Sequence, residues 1–285
     1  MSGLVLNPLT KERLDHFTAK PSHALLLVGP TGSGKHTLAG MIAETILGLP
    51  EGGFGEHPYV LVIAPEDGKA ISIESARKLE KFLTLKVPGR TGFNRIIIIE
   101  DAHLLTVEAQ NALLKTLEEP PEGTVLILTA AHERALLPTI RSRTQIIPVG
   151  RLEREQLEHH FKGHGHDMAA VERAYAISGG LPGLMSALLE DTDHPLVTAT
   201  NTARELLSRT AYERLAMVDE LSKQKALALD VTLILQQMAR LSLQRAAGPV
   251  AKRWQHIMIA SHEASEALLG NAQPKLALSK LMLEL

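Results

Sequence analysis

Five short runs of apolar, largely β-branched residues punctuate the first half of the chain: Ala24 to Val28 (ALLLV), Tyr59 to Ile63 (YVLVI), Arg95 to Ile99 (RIIII), Thr124 to Leu128 (TVLIL) and Gln145 to Val149 (QIIPV). Their apolarity is continuous rather than alternating, which suits strands buried on both faces. Helical spacing fills the intervals. Leu38, Met41, Ile42, Ile46 and Leu47 share one helical face, and Gly48 and Pro50 form a stop signal. Thr106 is placed to cap the segment VEAQNALLKTLEE, which Pro120 and Pro121 end. Strands alternating with helices predict a parallel, doubly wound α/β sheet.

The strand signal stops near Arg151. From there a helical unit, broken at Gly179 to Gly183, runs to a short linker at Asp191 to Pro195. The remainder reads as a third, all-α domain, with Trp254, Ile257, Met258 and Ser261 at helical spacing and Leu206 and Leu207 among apolar neighbours. A length of 285 residues agrees with two or three domains.

Composition narrows the function classes. With 45% hydrophobic and 22% charged residues the chain reads as globular, and a net charge of -2 supplies no global field for nucleic acid. Contact with DNA would then need a local basic patch or a partner. The absence of cysteine excludes disulfides and thiolate zinc sites. The N-terminus lacks the layout of a signal peptide, and no apolar run approaches the ~18 residues of a membrane span, so a cytoplasmic protein is expected.

The candidate chemistry begins at GPTGSGKHT, Gly29 to Thr37, directly after the first strand. Gly29, Gly32 and Gly34 allow the backbone to curl around a phosphate with Ser33 between them, and Lys35 would reach the β and γ phosphates. The alternative is a glycine-rich turn that binds nothing. His36 stands where the pattern requires a serine or threonine hydroxyl for Mg²⁺, a hard ion that prefers oxygen. Thr37 projects about 100° away on the helix and does not replace that hydroxyl. RIIIIEDAH ends a strand in Glu100 and Asp101, a placement suited to a metal-organising and a water-activating acid, or to capping the segment that follows. TIRSRTQ carries Arg141 and Arg143 just before the fifth strand; a solvated edge is the alternative there. His159, His160, His164, His166 and Asp167 match no zinc spacing and read as a solvated loop, so no metal site is expected.

NALLKTLEEPPEGT followed by TIRSRT is similar to the signature of bacterial DNA polymerase III clamp-loader subunits of the AAA+ superfamily. HPYVLVIAPEDGKAISIESARKL resembles the segment before the acidic strand of that family, SGGLPGLMSALLED its lid, and NAQPKLALSKLMLEL the last helix of its collar. The resemblance implies an AAA+ P-loop domain over residues 1–150, a small helical lid over 151–192 and an all-α collar, used for oligomerisation, over 193–285.

The family contains gamma or tau motor subunits and a delta prime subunit whose ATP site is degenerate. Four departures place this chain nearer delta prime: His36, the Glu100-Asp101 order, Ala130 or Ala131 where a polar sensor is expected beside Thr129, and Pro182 where motor subunits carry a sensor arginine. Ser142-Arg143-Thr144 matches the family's Ser-Arg-Cys motif except in its last residue, which implies that Arg143 acts as an arginine finger in trans. Glu100 and Asp101 would be the degenerate acid pair, and Gly29, Gly32, Ser33, Gly34, Lys35, His36 and Thr37 the nucleotide-binding loop. ATP binding stays an open alternative, with Mg²⁺ expected only alongside it. The four-cysteine zinc module of the family is absent, its place taken by GLPEGGFGEHP, and no zinc is expected.

The implied role is a delta prime-like subunit that helps load the sliding clamp onto primed DNA. Its partners would be gamma/tau and delta subunits, met through the collar and AAA+ faces, with the clamp and primed DNA reached through the assembled complex and no membrane involved. The alternative is an active gamma/tau-like ATPase. A P-loop small-molecule kinase fits less well, because the tail resembles a collar rather than a substrate lid.

Overall fold

The structure is a computed structural model that describes residues 5–65, 70–84, 92–156, 167–190, 194–270 and 272–285. The chain forms two compact units, Met1–Leu152 and Glu153–Leu285.

In the first unit, α1 (Pro8–Ala19) precedes β1 (Ala24–Val28), and α2 (Lys35–Leu47) follows it. Then come β2 (Val60–Ile63), α3 (Ile73–Leu83), β3 (Arg95–Ile99), α4 (Val107–Glu118), β4 (Thr124–Ala130), the short α5 (Pro138–Arg141) and β5 (Gln145–Pro148). All pairings are parallel, in the order β2-β3-β4-β1-β5. The continuous apolarity of the strands has a direct cause. Leu25, Leu27, Ile96, Ile98, Val125 and Ile127 face a core shared with α1 and α2. Their neighbours Leu26, Ile97, Ile99, Leu126 and Leu128 face the opposite core, built with α3 and α4. With period two and both faces covered, apolar residues fill both faces of the strands, the polar Arg95, Thr124, Thr129 and Gln145 lying at or near strand ends.

Local signals place the helices. Thr106 Oγ1 accepts a hydrogen bond from Ala109 N at 3.2 Å, the cap expected for α4, and Gly48 takes the left-handed conformation (φ 67) that ends α2. α1 is capped by Asn7 with Pro8 in its first turn, a start signal that sequence reading passed over. The connection that follows α2 lays Phe54 over Gly40, so close that a Cβ added there would lie 2.4 Å from the ring. Phe54 packs against the α1–α2 core, and an apolar plug occupies the stretch where a zinc module was expected to be missing.

The second unit is helical: α6 (Met168–Ser178), α7 (Pro182–Glu190), α8 (Pro195–Ser208), α9 (Ala211–Ala216), α10 (Val218–Leu221), α11 (Lys225–Leu243), α12 (Gly248–Leu269) and α13 (Pro274–Glu284). Leu181 and Leu184 share one core with Leu206, Leu235, Ile257 and Leu281, so the expected boundary near residue 192 falls between helices that are packed together. The break expected at Gly179 to Gly183 is shorter than its sequence suggested. Gly179 ends α6 in the left-handed region, while Pro182 and Gly183 already belong to the first turn of α7. Of the histidine cluster, the four histidines lie outside the described residues, and Asp167 caps α6 by accepting from Ala169 N at 3.1 Å. α11 is long and apolar enough to cross a membrane by length and composition alone, with a mean hydropathy of 1.2. Its Val231, Ile234 and Leu235 are nonetheless buried in the core of the unit.

One buried cation holds two helix ends together. Arg214, 8% exposed, donates from Nε to Leu206 O at 2.7 Å and from Nη1 to Met282 O at 3.4 Å. Both carbonyls belong to the last turns of α8 and α13, where intrahelical partners become few; Leu206 O otherwise receives the shared N–H of Arg209 at 3.4 Å. Arg214→Ala is expected to destabilise the protein by ~2–4 kcal/mol, read as a lower urea midpoint, and Arg214→Lys by roughly half as much. An unchanged midpoint would mean that water satisfies these carbonyls equally well.

Candidate functional site: two edges of one sheet

The site is built on the carboxyl edge of the sheet. β1 ends at Val28 beside Ala130 of β4, and Ile99 at the end of β3 is in register with Leu128. The turns that follow β1 and β3, and the last residues of β4, are therefore brought together. Gly32 (φ 83) and Gly34 (φ 84) adopt the left-handed conformation that lets the loop curl into α2. Gly29 is required for a different reason. A Cβ there would lie 2.7 Å from Val149 O, a backbone atom that cannot swing away.

Lys35 is buried, and its Nζ donates to Gly29 O at 2.7 Å and Pro30 O at 3.0 Å, so the amine rests on the carbonyls of its own loop. Desolvation lowers its pKa to about 8, against the opposing pull of Asp101. Ser33 Oγ is fully buried and has no hydrogen-bond partner. Thr37 is exposed on the first turn of α2.

His36 reaches across to the acidic turn. Its Nδ1 hydrogen-bonds Glu100 Oε1, and its ring meets Phe54 edge-on at 6.2 Å. The bond to Glu100, helped by the charges of Glu100 and Asp101, raises the histidine pKa above its ordinary value despite partial burial. Asp101 sits at φ 45, ψ 47, the one non-glycine residue with positive φ in the described chain. Its N–H donates to Thr129 Oγ1 at 3.0 Å, which helps hold that conformation. The polar group on β4 that meets the acids is thus Thr129. Ala130 and Ala131, where a sensor residue was expected, follow it. His103 Nδ1 lies 3.9 Å from Asp101 Oδ1, and burial lowers the pKa of this second imidazole. Each acid of the pair therefore faces a histidine.

The arrangement fits the phosphate half of a nucleotide but not its metal. The left-handed glycines, the start of α2 and the lysine at its head have the form that a phosphate cradle needs. Mg²⁺ needs oxygen ligands in near-octahedral geometry, and here the hydroxyl position holds an imidazole that is already bonded to Glu100. Among the described residues no group of three or more His, Asp or Glu side chains is arranged to hold a metal ion.

Arg143 lies at the other edge. Gln145 pairs with Leu25 near the start of β1, which puts Arg143 level with the residues that precede β1. At ~3.3 Å per residue, six positions along β1 separate that level from Gly29 by about 20 Å, more than an arginine side chain spans. A hollow of about 670 Å³ opens here, lined by Ser22, His23, Glu118, Ser142, Arg143 and Gln145. The Arg143 guanidinium is held from two sides. Nη2 pairs with Glu118 Oε1 at 2.8 Å, and Nη1 donates to Thr139 O at 3.1 Å and lies 3.4 Å from Ser142 Oγ. Arg141 is directed elsewhere, towards Glu133 at 4.0 Å. Sequence reading did not anticipate Glu118 as the counter-ion or the His36–Glu100 bond. No spacing rule joins residues so far apart in the chain, although the acidic end of NALLKTLEE was a visible signal for the first.

Residues 10–153 match the family described as DNA polymerase III, delta subunit. The chain belongs to this family. Among curated relatives it is 36% identical over 184 residues to DNA polymerase III subunit delta' of Pseudomonas aeruginosa, a match covering 58% of this chain and 55% of that one. With the delta' subunit of Bacillus subtilis the identity is 31% over 169 residues, covering 54% and 48%. The gamma/tau subunit of Mycobacterium tuberculosis is a near relative, 30% identical over 141 residues, covering 45% of this chain and 24% of that one. The matches to delta' subunits thus span about half the length of those proteins. Among solved structures, a DNA polymerase III gamma subunit-related protein of Thermotoga maritima has a TM-score of 0.53 at 20% identity, covering 96% of this chain and 97% of that one. At that identity the likeness is one of fold, and it agrees with the expected parallel α/β sheet followed by helices.

The raised pKa of His36 has a definite sign. The pair's contribution to stability is complete below the unfolded-state value of ~6.5 and is lost as pH rises through the higher folded-state value. An NMR titration of His36 is expected to show a midpoint above ~6.5, and Glu100→Gln should return it towards that value. A midpoint indifferent to Glu100→Gln would contradict the pairing.

Proposed function

We propose that this chain is a delta prime-like clamp-loader subunit that contributes an arginine to a neighbour's ATP site and does not hydrolyse ATP itself. The observation that carries the reading is the separation of the two edges. Arg143 is the half-exposed cation of the SRT motif, at the amino edge of the sheet, out of reach of its own phosphate loop. A guanidinium placed there serves a nucleotide only if that nucleotide is bound to another subunit. On its own carboxyl edge, His36 and its bond to Glu100 remove the hydroxyl and engage one acid that metal-assisted hydrolysis needs.

In this reading residues 151–192 act as the lid and 193–285 as the collar that joins the ring. Gamma/tau and delta subunits are the partners. The sliding clamp and primed DNA are engaged through the assembled complex in the cytoplasm, which agrees with a net charge of -2 on this chain.

Lys35, Glu100 and Asp101 do converge on one edge, and that convergence favours the second reading, an active gamma/tau-like ATPase. Turnover by the isolated chain that Lys35→Ala abolishes would establish it. For the first reading, single-turnover ATP hydrolysis by the reconstituted complex is expected to slow by about 10³-fold at one site when Arg143 is changed to Ala. Arg143→Lys should recover only a small part, because an ammonium lacks the planar fork. Unchanged hydrolysis in the Arg143→Ala complex would overturn the proposal.

A further inference from the structure

The misfit between the loop and Mg²⁺ carries a consequence for what the loop binds. We infer that the loop takes the phosphates of a nucleoside di- or triphosphate without a divalent cation, the His36–Glu100 pair standing where a metal would otherwise link α2 to β3. The inference rests on the reading of Gly29 to Thr37 as a phosphate cradle, and not on the role of Arg143.

The cradle itself is complete. Both glycines that must be left-handed are so, and Gly29 leaves the close approach of Val149 O undisturbed. Two further groups point to an anion. The Lys35 ammonium is buried and hydrogen-bonded to two neutral carbonyls, with Asp101 acting on it only through its charge, so an arriving phosphate would bring a full opposite charge into direct contact. The Ser33 hydroxyl, wholly buried in the same loop, has no partner at all. An unsatisfied buried hydroxyl costs free energy that a phosphate oxygen or an ordered water would relieve.

The metal side is closed by the same contacts. In a phosphate loop of this kind Mg²⁺ bridges phosphate oxygens to the hydroxyl after the lysine and to an acid at the end of a neighbouring strand. Here the residue after the lysine and the first acid are bonded to each other. The second acid is fixed through its backbone to Thr129 and faces His103. To seat Mg²⁺ the protein would have to break the His36–Glu100 bond and still lack one oxygen ligand. A metal normally neutralises phosphate charge and ties the helix to the strand. Lys35 supplies positive charge, and the imidazole–carboxylate bond ties helix to strand, so neither task is left for an ion.

The test is calorimetric titration of the purified full chain with ADP and ATP, in Mg²⁺ and in excess EDTA. Dissociation constants within about threefold of one another in the two buffers are expected. Lys35→Ala should abolish binding in both. His36→Ser, which restores the hydroxyl and releases Glu100, should bind at least about tenfold more tightly in Mg²⁺ than in EDTA. Circular-dichroism melting shows whether each variant is folded; if His36→Ser unfolds, His36→Thr, which restores the same hydroxyl and likewise releases Glu100, is read in its place with the same preference of about tenfold for Mg²⁺ expected. Wild-type binding that EDTA weakens tenfold would overturn the inference, as would the absence of nucleotide binding in either buffer. Neither outcome touches the Arg143 measurement, so the two proposals fail separately.

Discussion

Strand β1 is hydrogen-bonded on both sides, to β4 and β5, and nearly everything of functional interest hangs from its two ends. Because all five strands run parallel, their carboxyl ends gather on one edge and their amino ends on the other. The glycine loop, both acids and Thr129 are carried by the first edge, Arg143 and Glu118 by the second. No local change of side-chain rotamer brings them together, since the rigid length of the sheet lies between. The polarity of the sheet thus separates the glycine loop and Lys35 from Arg143.

The carboxyl edge is a self-satisfied arrangement. Lysine rests on loop carbonyls, one acid bonds His36, and the other faces His103 while its backbone is fixed by Thr129. Such closure suits a site kept for structure or for binding better than one poised for turnover, because groups poised for catalysis must remain available to substrate. At the amino edge the guanidinium is half-exposed and held by a single carboxylate with a few backbone and hydroxyl contacts. Exposed pairs of this type are worth little in free energy, so Glu118 holds the guanidinium only weakly.

Much of this was legible in the chain. Continuous apolar runs located all five strands to within about two residues, because strands buried on both faces must be apolar throughout. Thr106, Gly48 and the paired prolines marked helix ends for reasons that are local. Strand order was not legible, since periodicity reports which faces are buried and not which strand lies beside which. The same limit hid His36–Glu100 and Arg143–Glu118, both of which join distant segments. That Thr129 is the β4 side chain that accepts from the acidic turn was not legible either, because only the pairing of β3 with β4 shows which residue meets that turn. Nothing in the local sequence around Arg214 marks it as a buried cation, since the carbonyls of Leu206 and Met282 that hold it lie on other helices.

The most direct test of the account is a structure of the assembled complex with a transition-state analogue of ATP hydrolysis bound to its motor subunits. The account predicts the Arg143 guanidinium at hydrogen-bond distance, about 3 Å, from the phosphate analogue held by a neighbouring subunit, with the Glu118 contact opened. Arg143 still paired with Glu118, with every neighbouring nucleotide beyond its reach, would contradict it.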